Sequence, residues 1–149
     1  MYCYQCDLQK AFDCVNHEIL LEKMKLYGIS GTANKLMESY LENRYQRVPV
    51  NNIKPHKLYS KWIHVKHGVP QGSVLGPLLF LIYINDLSLS TDKLASPILF
   101  ADDTTTIISN AKPEEFQNNI NLVVTEITHC FQSNLLTLNY SKTHYAFSY

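Results

Sequence analysis

The sequence predicts an α+β fold, a mainly antiparallel sheet with helices packed on one face. Three observations predict it. Short alternating or β-branched runs open the chain (Tyr2–Leu8), flank residues 101–102 and close the chain (Tyr145, Phe147, Tyr149). Between them lie stretches with helical spacing, most clearly Phe116, Ile120, Val123, Val124, Ile127 and Phe131. The third is the abrupt acidic pair Asp102-Asp103, set between Pro97-Ile98-Leu99-Phe100 and Thr104-Thr105-Thr106-Ile107-Ile108. Apolar residues before and β-branched residues after such a break read as two strands joined by a tight turn.

The 149 residues suffice for one domain with a core, and 46% hydrophobic content is that of a globular chain. Thirteen basic and thirteen acidic residues cancel. That balance excludes a free-standing binder driven by overall charge, though not a locally basic groove. The spacing of Cys3 and Cys6 is that of one half-site of a zinc ribbon, but no matching pair follows, so the four cysteines read as reduced structural thiols. The start lacks the basic and apolar segments of a secretory signal, and Leu78–Ile84 is too short to span a bilayer, which predicts an intracellular protein without membrane insertion.

In order, Tyr2–Leu8 reads as a strand with Asp7 near its C-terminal end, and Lys10-Ala11-Phe12-Asp13 turns the chain. Asn16 is a candidate N-cap for a helix carrying Leu20, Met24 and Tyr27 and stopped by Gly28. Ala33, Leu36, Met37, Tyr40 and Leu41 form the stripe of a second helix. Val48 and Val50 flank Pro49, which suits an edge strand, and Trp62–Val65 is a second strand candidate. His64 and His67 have no acidic neighbour and read as satisfied or solvent-facing. Gly68–Pro77 is a loop whose glycines let a ligand approach the backbone, and Leu78–Leu87 reads as a helix buried on most sides. Lys112-Pro113-Glu114-Glu115 opens the long helix.

Two adjacent carboxylates at a turn repel each other and call for a cation, and oxygen ligands suit magnesium or manganese rather than zinc. A lone Asp-Asp reads better as a solvated turn. Asp7, at a separate strand end, supplies the third carboxylate that a pair of metal ions needs. Two ions about 4 Å apart stabilise both the attacking and the leaving oxygen of a phosphoryl displacement. Gln71 offers a donor and an acceptor, and Gly72 gives access to a sugar or phosphate. Phe12 places a ring near whatever the metals hold. Lys142 reads on its own as a solvated surface lysine, the alternative being a proton donor to leaving pyrophosphate.

Asp7-Leu8-Gln9-Lys10-Ala11-Phe12-Asp13, Gly68-Val69-Pro70-Gln71-Gly72-Ser73-Val74-Leu75-Gly76-Pro77 and Phe100-Ala101-Asp102-Asp103 occur in this order. They resemble the palm motifs of reverse transcriptases, specifically those of non-LTR (LINE-type) retrotransposons. The resemblance implies a polymerase palm over residues 1–149, without the N-terminal fingers, thumb or endonuclease. Asp7 and Asp102 would be the principal ligands of two magnesium ions, replaceable by manganese, with the Leu8 carbonyl joining one ion and Asp103 coordinating less directly. Phe12 would exclude a ribose 2′-hydroxyl. Gln71 and Gly72 would lie against the nucleotide and template, and Ala101 near the primer end. Lys142 would protonate pyrophosphate, and Asp13 would be structural.

The implied partners are an RNA template, a DNA primer and deoxynucleoside triphosphates, in nucleus or cytoplasm, with the oligomeric state open. Tyr2-Cys3-Tyr4-Gln5-Cys6 departs from the family's usual aliphatic strand. One rival reading is an inactive retroelement remnant with at most weak RNA binding. Others are a group II intron maturase and a nucleotide cyclase, the latter opposed by the Gly-Val-Pro-Gln-Gly-Ser loop.

Overall fold

Tyr2, Tyr4 and Cys6 are buried while Cys3 and Gln5, between them, are not. That period of two makes β1 (Tyr2–Cys6) a strand with one covered face. The computed structural model describes residues 2–50, 58–91, 95–100, 103–109 and 113–147. β1 lies inside a four-stranded antiparallel sheet, between β7 (Asp103–Ile108) and β8 (His144–Phe147), with β6 (Ser96–Phe100) on the outer edge of β7. Tyr4 pairs with Thr106 and Tyr2 with Ile108, so buried residues meet buried residues across the ladder. Pro97 cannot donate to a ladder, and β6 is an edge strand, where a missing donor is tolerated.

Helices cover that one face. α5 (Pro113–Ser133) brings Ile120, Val123, Ile127 and Phe131 into the same core as Tyr2, Tyr4, Cys6 and Ile108, and the Phe116 ring meets Tyr2 edge-on. α1 (His17–Leu26) begins as expected at Asn16, whose side chain accepts from the Ile19 N–H at 3.1 Å. Leu20 and Met24 are buried, whereas Tyr27 lies just past the helix and is 40% exposed.

Three expectations change in detail. In α2 (Gly31–Leu41) Asn34 and Leu41 are buried and Met37 and Tyr40 pack against the core as expected, while Ala33 and Leu36 face solvent. Asn34 turns the helix this way by donating to the carbonyls of Leu21 and Ile29. α3 (Leu75–Ile84) begins inside the glycine-rich segment, because the Ser73 hydroxyl accepts from the Gly76 N–H and starts the turn early. It is also covered on one side only: Leu79, Phe80, Tyr83 and Ile84 are buried, while Leu78 and Leu81 are exposed. α4 (Asp86–Thr91) follows directly.

The segment read as strands forms two short ladders, β2 (Tyr45–Gln46) with β5 (Ile63–His64) and β3 (Pro49–Val50) with β4 (Leu58–Tyr59). His64 and His67 are exposed, as expected. All four cysteines are free thiols. Cys3 and Cys6 occupy opposite faces of β1, so they do not form half of a metal clamp. Lys112 and Tyr149 lie outside the described residues.

Burial pushes the Cys6 thiol up from 9.0 to about 12 and raises Tyr4 as well. The unfolded chain ionises these groups first, so their contribution is complete below about pH 9 and falls as pH rises toward the native values. The urea midpoint should therefore hold from about pH 7 to about pH 9 and drop by about pH 11, less steeply in Cys6→Ala. A flat profile in the unaltered chain would contradict this.

Candidate active site

The register of the sheet brings two of the three acidic residues together. Cys6 pairs with Thr104, the last pair of the β1–β7 register, and Asp7 and Asp103 are the residues next to that pair in sequence. Cys6 and Thr104 are buried, so alternation puts Asp7 and Asp103 on the open face, away from the helices. Asp103 in turn pairs with Phe100 in the antiparallel β6–β7 ladder. Ala101 and Asp102 lie outside the described residues.

Asp7 is held from the far end of the chain. Asn139 Nδ2 donates to Asp7 Oδ2 at 2.8 Å, and the Asn139 N–H donates to the Asp7 carbonyl at 2.8 Å. The Ser141 hydroxyl donates to Asn139 Oδ1, which turns the amide NH₂ toward Asp7. Lys142 and Thr143 close the same turn through their N–H groups on the Asn139 carbonyl. The bridge between Leu8 and Leu138 uses the carbonyls of Asp7 and Thr137 and leaves that of Leu8 outside the ladder.

Two adjoining pockets flank this point. One, of 590 Å³, is lined by Asp7, Leu8, Lys10, Cys14, Asn139 and Lys142. The other, of 320 Å³, is lined by Leu8, Lys10, Phe12, Pro70, Gln71 and Gly72. Leu8 and Lys10 belong to both. Asp7 and Leu8, expected at the metal, and Phe12, Gln71 and Gly72, expected at the nucleotide, thus line adjoining pockets.

Backbone bonds fix the second pocket. The Gly68 N–H donates to the Val15 carbonyl and the Val69 N–H to the Phe12 carbonyl, each at 2.8 Å. Gly68 has φ +88, and a Cβ there would lie 3.0 Å from the Asp13 backbone, so only glycine permits this approach. Gln71 Nε2 donates to Asp13 Oδ1 at 3.0 Å, which gives Asp13 the structural part expected of it and leaves the Gln71 oxygen available. The Phe12 ring packs 5.0 Å from that of Phe80, in the middle of α3. Lys10 takes a left-handed conformation, φ 48, and its carbonyl accepts from Asp13 and Cys14 to close the turn beneath the pocket.

The donors present are hard oxygens, which fit magnesium or manganese. Among the described residues no three His, Cys, Asp or Glu side chains form a metal-holding group. With Asp102 outside that set, what remains is the pair Asp7 and Asp103. Sequence reasoning missed Asn139 as a positioning group and Lys10 as a wall of both pockets. The Asn139 contact spans 132 residues, and no local pattern announces it.

Residues 1–148 match the family described as reverse transcriptase (RNA-dependent DNA polymerase). Among curated relatives, the probable RNA-directed DNA polymerase from transposon BS of Drosophila melanogaster is 32% identical over 92% of this chain and 15% of that protein. The RNA-directed DNA polymerase from mobile element jockey, also of Drosophila melanogaster, is 34% identical over 69% of the chain and 10% of that protein. The chain thus spans about a seventh or less of the length of these relatives. The fold is similar to that of apo telomerase from Candida tropicalis, with TM-score 0.71 at 16% identity over 97% of this chain and 28% of that one. Its sequence motifs, its antiparallel sheet with helices on one face, and these matches agree: the chain belongs to the reverse transcriptase family of RNA-dependent DNA polymerases, in the branch carried by non-LTR retrotransposons.

Proposed function

We propose that residues 1–149 are the palm core of a retrotransposon reverse transcriptase that adds deoxynucleotides to a DNA primer on an RNA template. What supports this reading is that the β1–β7 pairing ends beside Asp7 and Asp103, and that Asp7 lines a pocket adjoining the one lined by Phe12, Gln71 and Gly72. Two magnesium ions, when bound, supply a more acidic primer hydroxyl and charge balance for pyrophosphate. Asp7, Asp102 and Asp103 hold them in this reading, with the Leu8 carbonyl as a further ligand. Asn139 orients the Asp7 carboxylate.

Phe12, backed by Phe80, blocks the position of a 2′-hydroxyl. Gln71 and Gly72 bear on the nucleotide and template, Ala101 on the primer end, and exposed Lys142 gives its proton to pyrophosphate. Fingers, thumb and any endonuclease belong to other parts of a longer protein, and the site of action is the nucleus or cytoplasm. Among the described residues no helix is long and apolar enough to cross a membrane.

Primer extension on an RNA template, by this chain and by a longer protein containing it, tests the reading. The longer protein should extend with deoxynucleotides, and Phe12→Val should admit ribonucleotides roughly tenfold more readily. No extension by the longer protein favours the inactive-remnant reading, and unchanged sugar discrimination removes Phe12 from the gate.

A further inference from the structure

The two short ladders run on from each other as one ribbon, with Tyr45 opposite His64 and Pro49 opposite Tyr59. Between those pairs the returning strand has one residue more than the outgoing strand, so it carries a bulge near Ser60–Trp62. The side-chain contacts define one face. The Arg47 guanidinium lies 4.0 Å from the centre of the Tyr59 ring and 4.5 Å from that of Trp62. The Tyr45 and His64 rings stand 5.0 Å apart beside them. Tyr45 is 58% exposed, Tyr59 44% and Trp62 60%.

Charge points to what such a face receives. The chain as a whole is neutral, yet residues 43–85 contain six Lys or Arg and no Asp or Glu. Arg44, Arg47, Lys61 and Lys66 lie on or beside the described ribbon. Aromatic rings offer stacking surface to unpaired bases, and the cations neutralise the phosphates between them. A duplex hides its base faces and has no use for exposed rings in a row. A face made only to meet another protein's apolar surface would not carry unopposed arginines.

We propose that the aromatic face of this ribbon binds single-stranded nucleic acid, bases stacking on Trp62, Tyr59 and Tyr45 and phosphates meeting Arg47 and its basic neighbours. This site is separate from the Asp7–Asp103 pair and does not depend on metal there.

Trp62 is the chain's single tryptophan, so its emission reports the site directly. Titrating the chain with oligouridylate about 12 nucleotides long should quench that emission. Affinity should fall about twentyfold between about 50 and about 200 mM salt, as three phosphate contacts require. Tyr59→Ala should weaken binding about tenfold and leave manganese binding as in the unaltered chain. Loss of both together would point to a misfolded variant, and Tyr45→Ala, read the same way, then decides. Absent quenching at low salt, equal binding of duplex, or emission that changes with protein concentration alone would overturn the proposal. The last outcome would mean that a second copy covers the face.

Discussion

Asp7→Asn is expected to weaken manganese binding by more than about 100-fold in a calorimetric titration, with little change in melting temperature. The asymmetry follows from the geometry. Asparagine has the same shape, and its amide oxygen can still accept from Asn139 Nδ2, so the turn that ties Asp7 to residues 139–143 survives. What goes is one of the two negative charges that adjoin the last β1–β7 pair, Cys6 and Thr104. Asn139→Ala should cost about tenfold, because it removes only the group that orients the carboxylate. In a longer protein with polymerase activity, Asp7→Asn should abolish primer extension. An Asp7→Asn titration that overlays the unaltered one would remove Asp7 from the metal site, and with it the proposed mechanism.

Lys23→Met should lower stability by about 3 kcal/mol, or the melting temperature by roughly 6–12 °C. Lys23 Nζ, on a side chain only 12% exposed, donates to Asp86 Oδ1 at 2.7 Å, to the Tyr83 carbonyl and to Asn134 Oδ1. The Tyr83 hydroxyl donates to the Asn134 carbonyl at 2.6 Å, and Asn134 Nδ2 donates to the Cys130 carbonyl. One ammonium thus joins α1, the end of α3, the start of α4 and the end of α5. Methionine fills the same volume but leaves two side-chain oxygens and a carbonyl without their donor. The Asp86 side chain is 38% exposed and rehydrates in part, which holds the loss near the lower end for a broken buried pair. A melting temperature within about 2 °C of the unaltered chain would show the network to be dispensable.

Much of the site could be read before the fold was known, for a simple reason. Asp7, Phe12, Gln71, Gly72 and Asp103 belong to short motifs whose chemistry is local: a strand end, a tight turn, a glycine that admits a ligand. The Asn16 cap and the α5 stripe were equally legible, since a cap and a 3.6-residue period need only neighbours in sequence. Asn139 and Lys23 were not, because a polar residue in a turn or on a helix carries no mark of a partner more than 100 residues away. The α2 stripe was legible only in part, since Met37, Tyr40 and Leu41 reach the core and Ala33 and Leu36 do not, for a related reason. A stripe of apolar residues shows which face of a helix can be buried, but Asn34, by reaching Leu21 and Ile29, decided which face was.

The class of fold, the acidic hairpin and the family follow from periodicity, turn chemistry and motif order, which are properties of the linear chain. Tertiary packing sets β1 between β7 and β8, which brings Asp7 to the Asp103 end of β7 and within reach of Asn139. It also decided that the ribbon gathers Arg47, Tyr59 and Trp62 on one exposed face. Both outcomes depend on strand order and register, which long-range packing selects and local sequence does not encode.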